Sequence, residues 1–97
     1  MTVVKWNKSA LNQLLKAIDY IRLQSIQGSE TVQVEIITAI GNLVNHPEKF
    51  PPDKYKINNE GSFRAFELHN YRVAYRYKEN EIRIIRIRHT KRSPKMY

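Results

Sequence analysis

Between Tyr71 and Arg92 the chain reads YRVAYRYKENEIRIIRIRHTKR, and six of these positions are arginine: Arg72, Arg76, Arg83, Arg86, Arg88 and Arg92. Guanidinium groups interleaved with tyrosine, valine and isoleucine suit recognition of phosphate oxygens, which arginine grips in bidentate fashion. His89 is the one side chain of the stretch whose type titrates near neutrality, so it is the candidate acid or base. Metal chemistry finds no support, because Asp19, Glu30 and Glu35 are scattered along helical segments and no histidine–carboxylate cluster has ligand spacing. No serine or cysteine nucleophile motif occurs, and no cofactor is expected.

The charge is lopsided. Residues 62–97 hold ten Lys/Arg against three Asp/Glu, whereas residues 1–61 hold seven against six. Basic charge concentrated in one segment points to a polyanion, RNA or DNA, or to an acidic protein. The 97 residues suffice for one compact domain. There is no cysteine, which excludes disulfides and thiolate metal sites and suits a reducing compartment. No apolar run approaches the roughly 20 residues of a membrane span, and no secretory signal pattern opens the chain. The expectation is a cytoplasmic protein with no membrane partner.

These side chains need a scaffold. TVVKW (2–6) is β-branched and apolar, which predicts a first strand, with Asn7 as the following N-cap. Leu11, Leu14, Leu15, Ile18 and Ile21 recur at three- and four-residue spacing and predict an amphipathic helix over 10–25. Gln27-Gly28-Ser29 is expected to break it, Gly28 ending one helix and Ser29 capping the next. Val32, Ile36, Ile40, Leu43 and Val44 mark the second helix, closed by Pro47, and the short link makes an antiparallel hairpin. Gly41 inside that helix costs about 1 kcal/mol against alanine, which close approach of another backbone would explain. HPEKFPPDKYKINNEGS (46–62) is loop by composition. Strands are predicted at 63–68, 71–78 and 81–88, joined by tight turns at His69-Asn70 and Glu79-Asn80, where asparagine tolerates positive φ. The expected fold is a single α+β domain, β-α-α-β-β-β: an N-terminal strand, a helical hairpin, then a three-stranded antiparallel meander.

A two-residue turn at Glu79-Asn80 pairs Arg76 with Arg83, Ala74 with Ile85 and Arg72 with Ile87. One face then carries Arg72, Ala74, Arg76, Arg83, Ile85, Ile87 and His89. The other carries Tyr71, Val73, Tyr75, Tyr77, Ile82 and Ile84, with Arg86 and Arg88 at its end, and is the more apolar. The second face is therefore expected under the helices, and the first is expected to be an exposed apolar strip ringed by cations. Arg76 opposite Arg83 places like charges together, which an anionic ligand would relieve. By the same parity, Arg64 falls on the helix-facing side, opposite to Arg72.

The element order, the YRVAYRY strand and the closing IRIIRIRHTKRSPKMY resemble the RelE/ParE superfamily of toxins from bacterial type II toxin–antitoxin modules, over nearly the whole chain. The resemblance implies one of two activities. RelE-like members cut mRNA in the ribosomal A site without metal, and ParE-like members inhibit DNA gyrase. Both are neutralised by a cognate antitoxin whose C-terminal segment wraps the toxin. Arg72 matches the arginine of the RelE-like strand, Arg92 the arginine after the last strand, Tyr97 the C-terminal tyrosine, and His89 the histidine of other ribonuclease relatives. Where RelE places lysines on the preceding strand, this chain has Arg64 and Phe66. Arg86, Ile87, His89 and Arg92 spell an ending similar to that of ParE-like chains.

Metal-free RNA cleavage by the 2′-hydroxyl needs a proton acceptor, cations on the phosphorane oxygens and an acid for the leaving oxygen. The resemblance assigns these roles to Arg72, His89, Arg92 and Tyr97, with Arg64, Arg76, Arg83, Arg88 and Lys91 as nucleic-acid-binding residues. The expectation is a ribosome-dependent mRNA endoribonuclease, with a gyrase inhibitor or a non-catalytic nucleic-acid-binding module as the alternatives. The antitoxin should be acidic, and apolar enough to cover the basic face or the helical hairpin.

Overall fold

The helical spacing of leucine and isoleucine is realised in α1 (Lys8–Arg22), whose buried residues are Ala10, Leu14, Ala17 and Ile18 in a computed structural model that describes residues 1–97. α2 (Ile26–Asn42) begins earlier than the Gln27-Gly28-Ser29 signal suggests. The break lies at residues 23–25, and the cap is Ser25, whose side chain accepts from the Gly28 amide at 2.9 Å. Gly28 is thus inside the first turn. A Cβ there would stand 3.1 Å from Ser25 Oγ, so the residue that looked like a helix stop serves the cap instead. Ser29, also expected as a cap, is buried and returns its hydroxyl to the Ile26 carbonyl at 2.7 Å. A Cβ at Gly41 would meet nothing within 4 Å, so no close approach on that side explains the glycine.

The strands are β1 (Val3–Trp6), β2 (Phe63–Leu68), β3 (Tyr71–Lys78) and β4 (Glu81–His89), in the order β1-β4-β3-β2. β2, β3 and β4 form the expected antiparallel meander, but β1 lies parallel to β4 and makes the sheet mixed. Both hairpin turns have positive φ at both central residues: 52° and 67° at His69-Asn70, 55° and 62° at Glu79-Asn80. This is the left-handed pair whose twist matches that of the flanking strands.

The helices cover one face of the sheet. Leu14 and Ile18 from α1, with Ile36 and Ile40 from α2, meet Phe66, Val73, Tyr75, Ile82, Ile84 and Ile87 in a single core. β1 ends at Trp6, and further along β4 the Ile87 amide donates to Gln13 Oε1 of α1 at 2.7 Å. The helix thereby satisfies an edge donor that β1 is too short to reach.

Uniform alternation along β3 and β4 fails at one residue. Tyr75 pairs with Ile84, but Ala74 pairs with Arg86, so Ile85 is a bulge. Beyond it every side chain of β4 changes face relative to the simple two-residue register. Arg72 is opposite Arg88 and not Ile87, and Tyr71 is opposite His89. Ile87 drops into the core, whereas Arg86 and Arg88 join Arg72 on the outer face. The correction has a plain cause: Ile87 is more stable buried than exposed, and one extra residue accomplishes that.

Ile87 and Ile85 are therefore unequal although they sit two apart on one strand. Ile87→Ala should lower the unfolding free energy by about 2–4 kcal/mol, and Ile85→Ala by less than half as much, as measured by urea denaturation.

Candidate functional site

The loop before β2 is fastened to the sheet at many points. Tyr75 donates its hydroxyl to the Pro47 carbonyl at 2.8 Å, and Arg64 Nη1 donates to Phe50 O at 2.6 Å. Phe50 stacks on Phe66, Pro52 forms a bridge to Arg64, and the Asp53 amide donates to Phe63 O. Asn59 closes the next turn, donating to Phe63 O and accepting from the Gly61 and Phe63 amides. The C-terminal tail joins this loop as a short extra pairing, Tyr97 N to Tyr55 O and Ile57 N to Tyr97 O. Loop and tail together cross the outer face of the sheet. Ala65 and Ala74, side by side on that face, are buried, their small side chains leaving room for what lies above. The expected exposed strip is therefore covered.

Asp53 is the one fully buried charged residue, 2% exposed. Its carboxylate takes Arg72 Nη2 at 2.8 Å, the Tyr97 hydroxyl at 2.7 Å and the Tyr55 amide at 3.1 Å. Arg72 spends its other terminal nitrogen on Glu67 at 2.9 Å and lies over the Tyr55 ring. Burial works against the Asp53 carboxylate, but the hydrogen bonds from Tyr97, Arg72 and the Tyr55 amide outweigh it and hold its carboxyl below the ordinary range. Tyr97 is pushed the other way, first by burial and then by its bond to Asp53, so its phenol is a poorer proton source than a free tyrosine. Arg86 stacks on the Tyr97 ring, 3.9 Å from its centroid, and completes the cluster.

The remaining arginines of the outer face are relieved internally. Arg76 donates to Ser62, pairs with Glu60 at 3.6 Å and covers Phe63. Arg83 pairs with Glu81 and donates to Asn7. The opposed Arg76 and Arg83 thus each have a protein partner, and no ligand is needed to explain them. Arg64, as parity indicated, lies on the helix-facing side, where it ties down the loop.

His89 ends β4 on that same helix-facing side, its ring edge-on to Tyr71 at 5.0 Å. Its Nδ1 accepts from the Lys91 amide at 3.0 Å, which leaves the proton of the neutral ring on Nε2. The ring lines a groove of about 500 Å³ between α1 and the end of β4, with Lys16, Tyr20, Tyr71, Lys91 and Arg92 around it. Lys16, Lys91 and Arg92 have no carboxylate partner.

The four residues assigned to cleavage chemistry are only partly brought together. Arg72 and Tyr97 are held in the Asp53 cluster, and His89 and Arg92 border the groove. Arg88, His89 and Arg92 lie between the two regions and line both the groove and a small cavity beneath the tail, whose wall also includes Arg72. Asp53, Tyr55 and Glu67 escaped sequence reasoning. A lone acid in a Pro-Pro-Asp-Lys loop carries no periodicity, and only tertiary contact reveals its partner 19 residues away.

No group of three or more His, Cys, Asp or Glu side chains is placed to hold a metal ion, and no helix is long and apolar enough to cross a membrane. The family model described as the ParE toxin of type II toxin–antitoxin systems, parDE, matches residues 4–94. A chain of the chromosomal ParDE system from P. aeruginosa has a similar fold, with a TM-score of 0.74 at 20% identity, covering 94% of this chain and 98% of that one. A chain of the RelBE2 toxin–antitoxin complex from Mycobacterium tuberculosis is similar at a TM-score of 0.59 and 20% identity, covering 91% of this chain and 90% of that one. No curated protein matches the sequence.

Asp53 should dominate the acid limb of stability. Its folded pKa lies below the ordinary 3.8, so the stability it contributes is complete above that value and is lost as pH falls through the folded value. Asp53→Asn should cost roughly 2–4 kcal/mol at pH 7, since Arg72 keeps only Glu67. The gap from wild type should narrow in unfolding measurements below about pH 4.

Proposed function

Because the chain belongs to the ParE family of type II toxin–antitoxin toxins, we infer that it acts by binding a target and not by cutting RNA, and that the target is DNA gyrase. The observation that carries this reading is the engagement of Arg72: each terminal nitrogen is held by a carboxylate, and Tyr97 is bound to one of the same carboxylates. A transition-state cation has to aim its donors and its charge at the reacting phosphate, and here two carboxylates hold the terminal nitrogens and offset the charge. The groove beside His89 has the opposite character. Lys16, Lys91 and Arg92 are unpaired, and Tyr20 and Tyr71 add aromatic surface, a composition suited to an acidic protein segment.

The same reading includes a cognate antitoxin. Leu11 and Leu15 on α1, with Val34 and Ile37 on α2, are exposed, and a partner with apolar side chains and acidic flanks would cover them and meet the basic groove. The ribonuclease alternative keeps its own support: His89 is bordered by Lys91 and Arg92 in the groove and shares the cavity beneath the tail with Arg72 and Arg92.

Purified protein should inhibit gyrase supercoiling and leave ribosome-bound mRNA intact. Replacing Lys91 and Arg92 together by alanine should weaken inhibition at least tenfold with little change in Tm. Cleaved mRNA, lost in His89→Gln, would overturn the reading in favour of the ribonuclease.

A further inference from the structure

We propose that His89 is a positioning residue for Lys91 and Arg92, acting as a pH-sensitive catch. Its neutral ring holds the turn that carries these two cations beside the groove, and protonation of the ring releases that turn. β4 ends at His89, and three hydrogen bonds shape the chain that follows. The Thr90 amide donates to the Asn70 carbonyl at 2.7 Å, and the Arg92 amide donates to the His89 carbonyl at 3.1 Å. The Lys91 amide donates to His89 Nδ1 at 3.0 Å, the one bond of the three whose acceptor is a side chain. A side-chain acceptor facing the amide two residues on is how asparagine and aspartate shape a turn. Here an imidazole fills that place, and unlike an amide oxygen it becomes a donor when it takes a proton.

The groups around the ring separate its two protonation states further. Tyr71 of β3 meets it edge-on, with ring centroids 5.0 Å apart, and holds its plane. Lys16 and Tyr20 face the groove from α1, and Arg88, Lys91 and Arg92 face it from the ring's own segment, with no carboxylate in the lining. The cavity beneath the tail, which His89 also borders, adds Arg72, Arg86 and Lys95. Its single acid, Glu67, is already paired with Arg72 at 2.9 Å. A proton on Nδ1 would set a donor against the Lys91 N–H and add a cation among cations, with no free carboxylate to meet it. Protonation and the closed turn therefore exclude each other. As pH falls, the open turn takes up the proton, and Lys91 and Arg92 lose their fixed place. The consequence for target binding rests on the reading of the groove as a docking surface, whereas the catch itself rests on the turn alone.

The experiment follows the ¹⁵N-labelled purified chain by NMR from roughly pH 8 to pH 5, the range over which a histidine side chain changes charge. In wild type the neutral His89 ring should carry its proton on Nε2. The Lys91 and Arg92 amide proton resonances should move upfield together, with the midpoint of the ring's own titration. The Thr90 amide, held by the Asn70 carbonyl, should stay in place. His89→Asn keeps an acceptor for the Lys91 amide but has no titrating group, so its Lys91 resonance should hold the bonded position throughout. His89→Ala should show the released position at every pH. Unchanged amide resonances across β1, β2 and β3 in both variants separate loss of the catch from loss of the fold. A Lys91 amide that ignores the ring's titration, or an asparagine variant that behaves like the alanine one, would overturn the proposal. Gyrase plays no part in this measurement. A coupled titration in a chain that leaves gyrase untouched would therefore refute the target and keep the catch, and a pH-independent turn in a chain that inhibits gyrase would refute the catch alone.

Discussion

A single ion pair between a loop and a strand constrains much of this molecule. Asp53 is buried, and a buried carboxylate is tolerable only when its charge is met and its lone pairs are occupied. Arg72 meets the charge, and Tyr97 and the Tyr55 amide occupy the remaining positions. Because these partners come from β3, the C-terminal tail and the loop, satisfying one carboxylate pins three segments that have no helical or sheet periodicity in common. The loop then has fixed ends, so Asn59 and Phe63 can close the turn that leads into β2. The ordering of this side of the sheet rests on polar satisfaction, and hydrophobic burial orders the helix side.

That division explains why arginine is so frequent in a strand-rich segment. On the outer face Arg72, Arg76 and Arg83 carry out structural work, each with acceptors from neighbouring elements, and their stems cover apolar sheet surface. Of the arginines left without a carboxylate, Arg64 ties down the loop, and Arg86, Arg88 and Arg92 lie at the far end of β4 and just after it. Function in a small toxin is therefore best sought where the charge is unspent. Both the groove beside α1 and the cavity beneath the tail meet that criterion, and Arg88, His89 and Arg92 border both.

Much of the architecture could be read from residue types alone. Helical spacing located α1, and the two asparagine-bearing turns located the β3 hairpins, because their physics is local and each signal sits within a few residues of its effect. α2 starts before the point that Gly28 suggests, because a glycine that resembles a helix stop here makes room for the Ser25 cap. The Ile85 bulge was invisible because alternation gives no hint of where an extra residue enters. One unseen residue moved Ile87 into the core and exchanged the faces of Arg86, Arg88 and His89. Most of the candidate site lay beyond sequence reasoning for a related reason. The charge run was plain to see, but which arginines were already engaged depended on Asp53, a distant residue in an aperiodic loop.

Whether Arg72 holds the fold through Asp53 is decided by a double-mutant cycle of Asp53→Asn and Arg72→Gln in urea unfolding at pH 7. A buried, charge-assisted pair predicts a coupling energy of about 2 kcal/mol or more, with each single variant clearly destabilised. Additive effects, with coupling under about 0.5 kcal/mol as for a surface pair, would contradict the account and return Arg72 to the candidates for chemistry.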